Sequence, residues 1–290
     1  MRSDTFFRLL LFLSGVFLLI LLSAIFITLC LSSLPSLRSF GLFFVIGRSW
    51  NPISKKFGAC PFLIGTFLTS TAALLISLPF SLSISILLGE YLNNRFFSAV
   101  FKSVIELLAG IPSVIYGFWG LFVLVPIVRW VELKIHAAPY GVGLLAASLV
   151  LSIMIIPYSA FLSIEILKLV PPEIKEAAYS LGATRYEVVK FVALPYSYSG
   201  IFGGVLLAFG RALGETMAVT MVIGNSDFLP KSFLSPGNTI ASVIANEFTE
   251  AAGRLHLSSL IELGLILFVL TAVTNILGDF VVKRMSFQGS

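Results

Sequence analysis

Charge is scarce in this chain. Of its 290 residues only 11% are Asp, Glu, Lys or Arg, where a soluble domain carries about a quarter. With 58% hydrophobic residues, it holds more apolar surface than a soluble core of this length needs, so the bilayer is the expected solvent. Cysteine and histidine are nearly absent, two of each. Cys30 and Cys60 form no metal or redox motif. His136 and His256 fall in predicted loops, and no zinc site is expected. The Gly-x4-Gly-Lys-Ser/Thr phosphate loop is missing, so any ATP hydrolysis must come from another chain. His-Glu-x-x-His, Gly-x-Ser-x-Gly and paired intramembrane carboxylates are missing too, which argues against a membrane-embedded enzyme. The net charge of +5 is scattered among loops, a pattern that suits anionic lipid rather than nucleic acid. Without repeats or low-complexity segments, one transmembrane domain over residues 1–290 is expected, with its core at about 62–284.

What the chain does have is long apolar runs. Six of them, near 8–32, 62–88, 104–130, 141–167, 199–223 and 259–281, approach or exceed the ~20 residues that carry a helix across ~30 Å of hydrocarbon. The first is too long for the apolar core of a secretory signal, and Cys30 follows Leu29 rather than a small residue. It reads as an uncleaved first helix. Loop charge is a weak guide to sidedness. Arg2, Arg8 and Arg95 would share one side with Lys175 and Arg185, while Arg38, Arg48, Lys55 and Lys56 would lie on the other. Cys30 and Cys60 fall near the outer ends of consecutive helices, which leaves a disulfide between them open. Glu90, Glu106, Glu165, Glu262 and Asp279 lie near predicted helix ends and read as interfacial or capping residues.

Arg211 and Glu215 stand apart. They sit inside the fifth run, four residues apart, which is about 40° around a continuous helix and so on one face. A charge at the bilayer centre costs about 2.5–3.5 kcal/mol on insertion scales. Something must offset that: a mutual ion pair, a water-filled pathway or a ligand. Thr216 and Thr220 add hydroxyls nearby, and Gly210 with Gly214 allows a close neighbouring backbone.

Between the fourth and fifth runs lies a polar stretch with Glu176-Ala177-Ala178, then Gly182, then Leu194-Pro195. This spacing resembles the EAA loop of ABC-transporter permeases, here placed at 173–195, with Val192 where Ile is more usual. The resemblance implies an all-α permease fold of the type I importer (MetI-like) kind. It also implies docking on a separate ATPase through Glu176, Ala177, Ala178, Gly182, Leu194 and Pro195. Glu176–Leu181 and Thr184–Phe191 are expected as two short helices about a turn at Gly182, bounded by Pro171-Pro172 and Pro195. A cytoplasmic ATPase and an even helix count put both termini inside.

Further segments, 109–117 (Ala-Gly-Ile-Pro-Ser-Val-Ile-Tyr-Gly), 210–218 (Gly-Arg-Ala-Leu-Gly-Glu-Thr-Met-Ala), Ile223-Gly224-Asn225 and Trp50-Asn51-Pro52, are similar to phosphate ABC importers. They look like the PstC family of permeases rather than its PstA sister. That likeness implies inorganic phosphate as cargo, with sulfate or molybdate as the alternative. It implies a PstA-like second permease, a PstB-like ATPase dimer holding ATP and Mg, and a periplasmic PstS-like phosphate-binding protein. No cofactor is expected in this chain itself. Arg211, Glu215 and Thr216 become substrate-pathway candidates. A guanidinium donates two parallel hydrogen bonds to a phosphate, and Glu215 would hold Arg211 when the anion is absent. An internal salt bridge that only fixes packing stays open beside this reading.

Overall fold

Backbone amides in hydrocarbon find no water, so the apolar runs must coil into helices. A computed structural model describes residues 2–92 and 95–286, with side chains from 7 to 92 and from 96 to 284. Met1 and 287–290, the extremes of the expected domain, lie outside the described residues. The order is α1 (Arg2–Phe40), α2 (Phe43–Ile46), α3 (Cys60–Ile86), α4 (Arg95–Gly110), α5 (Ser113–Trp119), α6 (Val125–Lys134), α7 (Leu144–Lys168), α8 (Pro172–Ser180), α9 (Arg185–Val188), α10 (Leu194–Leu213), α11 (Met217–Val222), α12 (Ile240–Glu247) and α13 (Arg254–Ser286). Among the described residues there is no strand beyond an isolated bridge between Asn51 and Lys56.

Among the described residues six helical spans are long and apolar enough to cross a membrane: Phe7–Phe40, Cys60–Tyr91, Ser113–Lys134, Leu144–Lys168, Arg185–Leu213 and Arg254–Arg284. The chain is an all-α polytopic membrane protein. Three of the differences from the expected boundaries have a clear local cause. The first span continues past 32 because its polar end is paired with α13: Ser36 Oγ lies 3.1 Å from Ser259 Oγ, and Ser258 Oγ accepts from the Ser36 N–H at 2.9 Å. The third begins at Ser113, not near 104. Pro112 bars Ile111 from helical geometry, and α4 becomes a separate amphipathic helix. The fifth, expected as one helix through 223, breaks after Leu213.

Among the described residues three π-helical turns punctuate the bundle, at Leu87–Tyr91, Gly120–Leu124 and Val189–Ala193. Two end two residues before a proline, Pro126 and Pro195. Proline has no N–H and its ring crowds the carbonyl four residues back. A wider turn just upstream absorbs that defect without breaking the helix. Pro195 was expected to close the loop helix. Instead α9 passes through the π turn into α10.

The helix pair α3 and α7 makes the most extensive contact. Their shared face is small and polar. Ser77, Ser81 and Ser85 recur every four residues along α3, all buried. Ser159 Oγ donates to Ser81 Oγ at 3.3 Å, and Ser85 Oγ reaches the Ala160 carbonyl at 3.2 Å. Small side chains let the backbones approach, and each such bond contributes about 0.6 kcal/mol in a membrane. On α7, Ala147, Val150, Leu151, Met154 and Ile155 enter the main core with Val219 and Val222 of α11.

The end of the bundle far from the 173–195 loop carries a folded cap, where the sequence showed only mixed loops. Phe44, Trp50, Phe57 and Phe62 pack there with Ile240, Val243, Leu260 and Leu263. Trp50 Nε1 donates to Glu247 Oε2 at 2.9 Å, and His256 Nε2 sits 2.8 Å from the same oxygen. His256 thus belongs to the first turn of α13 rather than a loop. Cys30 and Cys60 are both free thiols, so no disulfide joins them.

At Gly65 the α3 backbone lies so close to the Asn238 carbonyl that a Cβ would overlap it. Overpacking of this kind costs about 1–3 kcal/mol. Gly65→Ala is therefore expected to lower the thermal unfolding midpoint in detergent, while Gly15→Ala, with open space around it inside α1, does not lower it. Equal midpoints for the two would contradict the close approach.

Candidate functional site

The 173–195 loop is a helical hairpin built on proline and glycine. Pro172 starts α8, earlier than the Glu176 expected, since a missing N–H is harmless in a first turn. Gly182 ends the hairpin's first arm at φ +86°, a conformation that L side chains resist, with open space around it. Thr184 then caps α9 by a capping box: its Oγ1 accepts from the Glu187 N–H, and Glu187 Oε2 accepts from the Thr184 N–H at 2.7 Å. Glu176 and Ala177 face outward, Ala178 is half-buried, and Leu181 is 90% exposed at the tip. The same loop shows Ile174, Tyr179 and Tyr186 at its surface. Leu194 instead turns inward, against the cluster of Leu167, Val170 and Ala193, and Pro195 opens α10 at the surface.

The second candidate region is the break between α10 and α11. Gly214 caps α10, and Glu215 and Thr216 leave the helix. Glu215, almost fully buried, accepts the Ala218 N–H at 3.4 Å and so starts α11. Arg211 and Glu215 therefore do not share a helical face, and no salt bridge joins them. The expected hold of Glu215 on Arg211 is replaced by an aromatic one. The guanidinium lies over the Tyr158 ring, 4.3 Å from its centroid. Tyr158 is fixed in turn by donating to the Ala109 carbonyl at 2.8 Å, next to the α4–α5 break. The hydroxyls of Thr216 and Thr220 donate to the Gly214 and Thr216 carbonyls. Their hydrogens are committed, so each oxygen is left as an acceptor only.

Depth follows from α7. Tyr158 lies ten residues before the α7 end at Lys168, about 15 Å at 1.5 Å per residue, or half of a ~30 Å hydrocarbon layer. Arg211 is thus at mid-depth, yet it is exposed on the surface of this chain. Among the described residues no hydrogen bond or ion pair engages its guanidinium.

Residues 81–287 match the family described as binding-protein-dependent transport system inner membrane component. The chain belongs to this family. It is a multi-pass membrane component of a transport system, not an enzyme. Among similar proteins, the phosphate transport system permease protein PstC of Mesorhizobium japonicum is 44% identical over 268 residues, covering 87% of this chain and 82% of that one. Its counterpart in Xylella fastidiosa (strain Temecula1) is 40% identical over 300 residues, covering 98% and 92%. The inward-facing MetNI methionine ABC transporter superimposes with a TM-score of 0.57 at 18% identity, over 79% of this chain and 94% of that one. The bacterial alginate ABC transporter, in complex with an alginate pentasaccharide-bound periplasmic protein, gives 0.66 at 15% identity, over 98% and 96%. These two likenesses establish the MetI-like permease fold.

Sequence reasoning missed Tyr158, since nothing local distinguishes a tyrosine that carries an arginine from one that fills space. It also missed two buried acids. Glu132 and Glu262 are 1% and 3% exposed, each with one carboxylate oxygen lacking a hydrogen-bond partner. Glu262 lies well inside α13, not near its end.

The contact geometry sets an order of coupling. In thermal unfolding in detergent, Arg211→Gln combined with Tyr158→Leu should show a double-mutant interaction of about 0.5–1 kcal/mol. Arg211→Gln with Glu215→Gln should show less. The reverse order would restore the Arg211–Glu215 pair.

Proposed function

We propose that this chain is the permease subunit of an ATP-driven importer of inorganic phosphate in a bacterial inner membrane. The observation that carries it is Arg211: a guanidinium at mid-depth, exposed on this chain and, among the described residues, held only by a tyrosine face. A charge there cannot face lipid cheaply. It faces a water-filled path or a second subunit, and its unused donors suit a tetrahedral oxyanion. The names of the 40–44% identical relatives favour phosphate over sulfate or molybdate.

Arg211 lines the path, with Glu215 and Thr216 shaping the break behind it. Glu215 acts by starting α11 rather than by pairing with Arg211. A PstA-like second permease completes the path, and a periplasmic PstS-like protein delivers phosphate. A PstB-like ATPase dimer, which binds the ATP and Mg, docks on the 173–195 loop at Glu176, Ala177, Ala178 and Gly182. Leu194 and Pro195 hold the base of that loop from inside. Both termini are cytoplasmic. Support comes from helix direction: α1 and α13 are antiparallel, joined through Ser36 and Ser258 at the capped end, so their other ends lie with the loop.

Arg211→Gln is expected to abolish labelled-phosphate uptake at matched membrane expression, and Arg211→Lys to leave partial activity, because a lysine keeps the charge but not the fork. Near wild-type uptake by Arg211→Gln would reject the pathway role, and sulfate competing as well as phosphate would reject the cargo. Gly182→Val places a side chain at positive φ, a strain of about 1–3 kcal/mol. Uptake and ATPase co-purification should fall together in that variant.

A further inference from the structure

Both arms of the 173–195 hairpin are gripped by one turn of another helix. The π turn Leu87–Tyr91 closes the end of α3. Lys175 Nζ of α8 meets Glu90 Oε1 at 2.6 Å, with side-chain exposures of 19% and 10%. Arg185, the first residue of α9, donates to the Glu90 backbone carbonyl and lies over the Tyr91 ring, 4.9 Å from its centroid. Lys175 and Arg185 stand on opposite sides of the Gly182 turn. One residue, Glu90, therefore takes a charge from the first arm and a hydrogen bond from the second.

From Glu90 the contacts continue along α3. Gly89 fits against Leu167, where a Cβ would come within 3.2 Å. Ser85 and Ser81 bond α7 as described. At its other end Thr66 Oγ1 accepts from the N–H of Ile240, the first residue of α12, at 3.0 Å. The last residue of α12, Glu247, is held by Trp50 and His256. α3 is thus a continuous helical connection between the hairpin and the cap at the opposite end.

We infer that Glu90 is a positioning residue that delivers movement of the hairpin to α3, and through α3 to α12 and the cap. A hairpin fixed only where the chain enters and leaves it would flex about Pro171 and Gly182, and displacement at its tip would dissipate. A third attachment removes that slack. The charge pair is mostly shielded from water, so removing one partner leaves the other poorly solvated, and a charge exchange should restore the link. The inference rests on the proposed docking of an ATPase on this hairpin.

The test uses the assembled transporter in proteoliposomes, reading ATPase co-purification, ATP hydrolysis and labelled-phosphate uptake. In Glu90→Gln and in Lys175→Gln, co-purification should stay within about twofold and hydrolysis should continue, while uptake per ATP falls about tenfold or more. The exchange Glu90→Lys with Lys175→Glu should recover most of that loss, which a merely misfolded chain would not. Wild-type uptake per ATP in both single variants overturns the inference. So does an exchange variant as defective as the singles, and so does loss of ATPase binding in Glu90→Gln, which would assign the residue to docking. Failure of the docking reading is seen separately, as an ATPase absent from the unmutated complex.

Discussion

In hydrocarbon an unpaired peptide group costs several kcal/mol, and this one constraint shapes several departures from straight helix. Where Pro126 and Pro195 remove an amide, a π turn rearranges the ladder just upstream. Where helix α10 ends at mid-depth, Gly214 and Glu215 take up the loose groups: Gly214 bonds back to the Gly210 carbonyl and Glu215 receives the Ala218 amide. Hydroxyls follow the same rule. Those of Thr66, Thr69, Ser70, Ser148 and Ser163 each donate to a carbonyl in the preceding turn of their own helix. That lets polar side chains sit buried in a bundle otherwise built of Ala, Val and Leu.

The same constraint explains what could be read in advance. Apolar run length gave six spans because the bilayer enforces length, and the spacing Glu176-Ala177-Ala178, Gly182, Leu194-Pro195 located the hairpin, in which Gly182 turns at positive φ and Leu194 packs inward. The break after Leu213 stayed hidden, since hydropathy runs unbroken from 199 to 223. The signal was nonetheless present in Gly214 followed by an acid three residues ahead of an amide it can cap. The reading of Arg211 and Glu215 as one helical face assumed a helix that in fact ends at Leu213, before the acid is reached. The third span carried a plainer marker in Gly110-Ile111-Pro112, outweighed by the apolar residues before it. The Glu90 anchorage and the Tyr158 support join positions far apart in sequence, and no local pattern announces either.

Charge in this molecule is placed by how water-poor each site is. Lys102, Lys168 and Glu165 form a partly exposed group between α4 and α7, where the Glu165 hydrogen bond holds the Lys102 ammonium above its ordinary range. Glu90 and Lys175 are more enclosed. Arg211, deepest of the cations, has no acid against it and rests on a ring whose quadrupole offers attraction without satisfying its N–H groups. A carboxylate in that place would compete with any anion for the same donors. An aromatic face steadies the cation and leaves its hydrogen-bonding edge uncommitted.

The π turn at Val189–Ala193 has an angular meaning as well. Each residue of an α-helix advances the chain by about 100°, and a π turn houses one residue more than the α ladder would. That surplus residue sets the rotational phase between α9, which Glu90 grips, and α10, which presents Arg211 eighteen to twenty-two residues beyond the residues of the π turn. Deleting or inserting one residue between 189 and 210 would leave hydropathy and both ends intact, yet swing the guanidinium a quarter-turn or more away from Tyr158. The segment is a fixed-length gauge, in which residue number matters as much as residue kind.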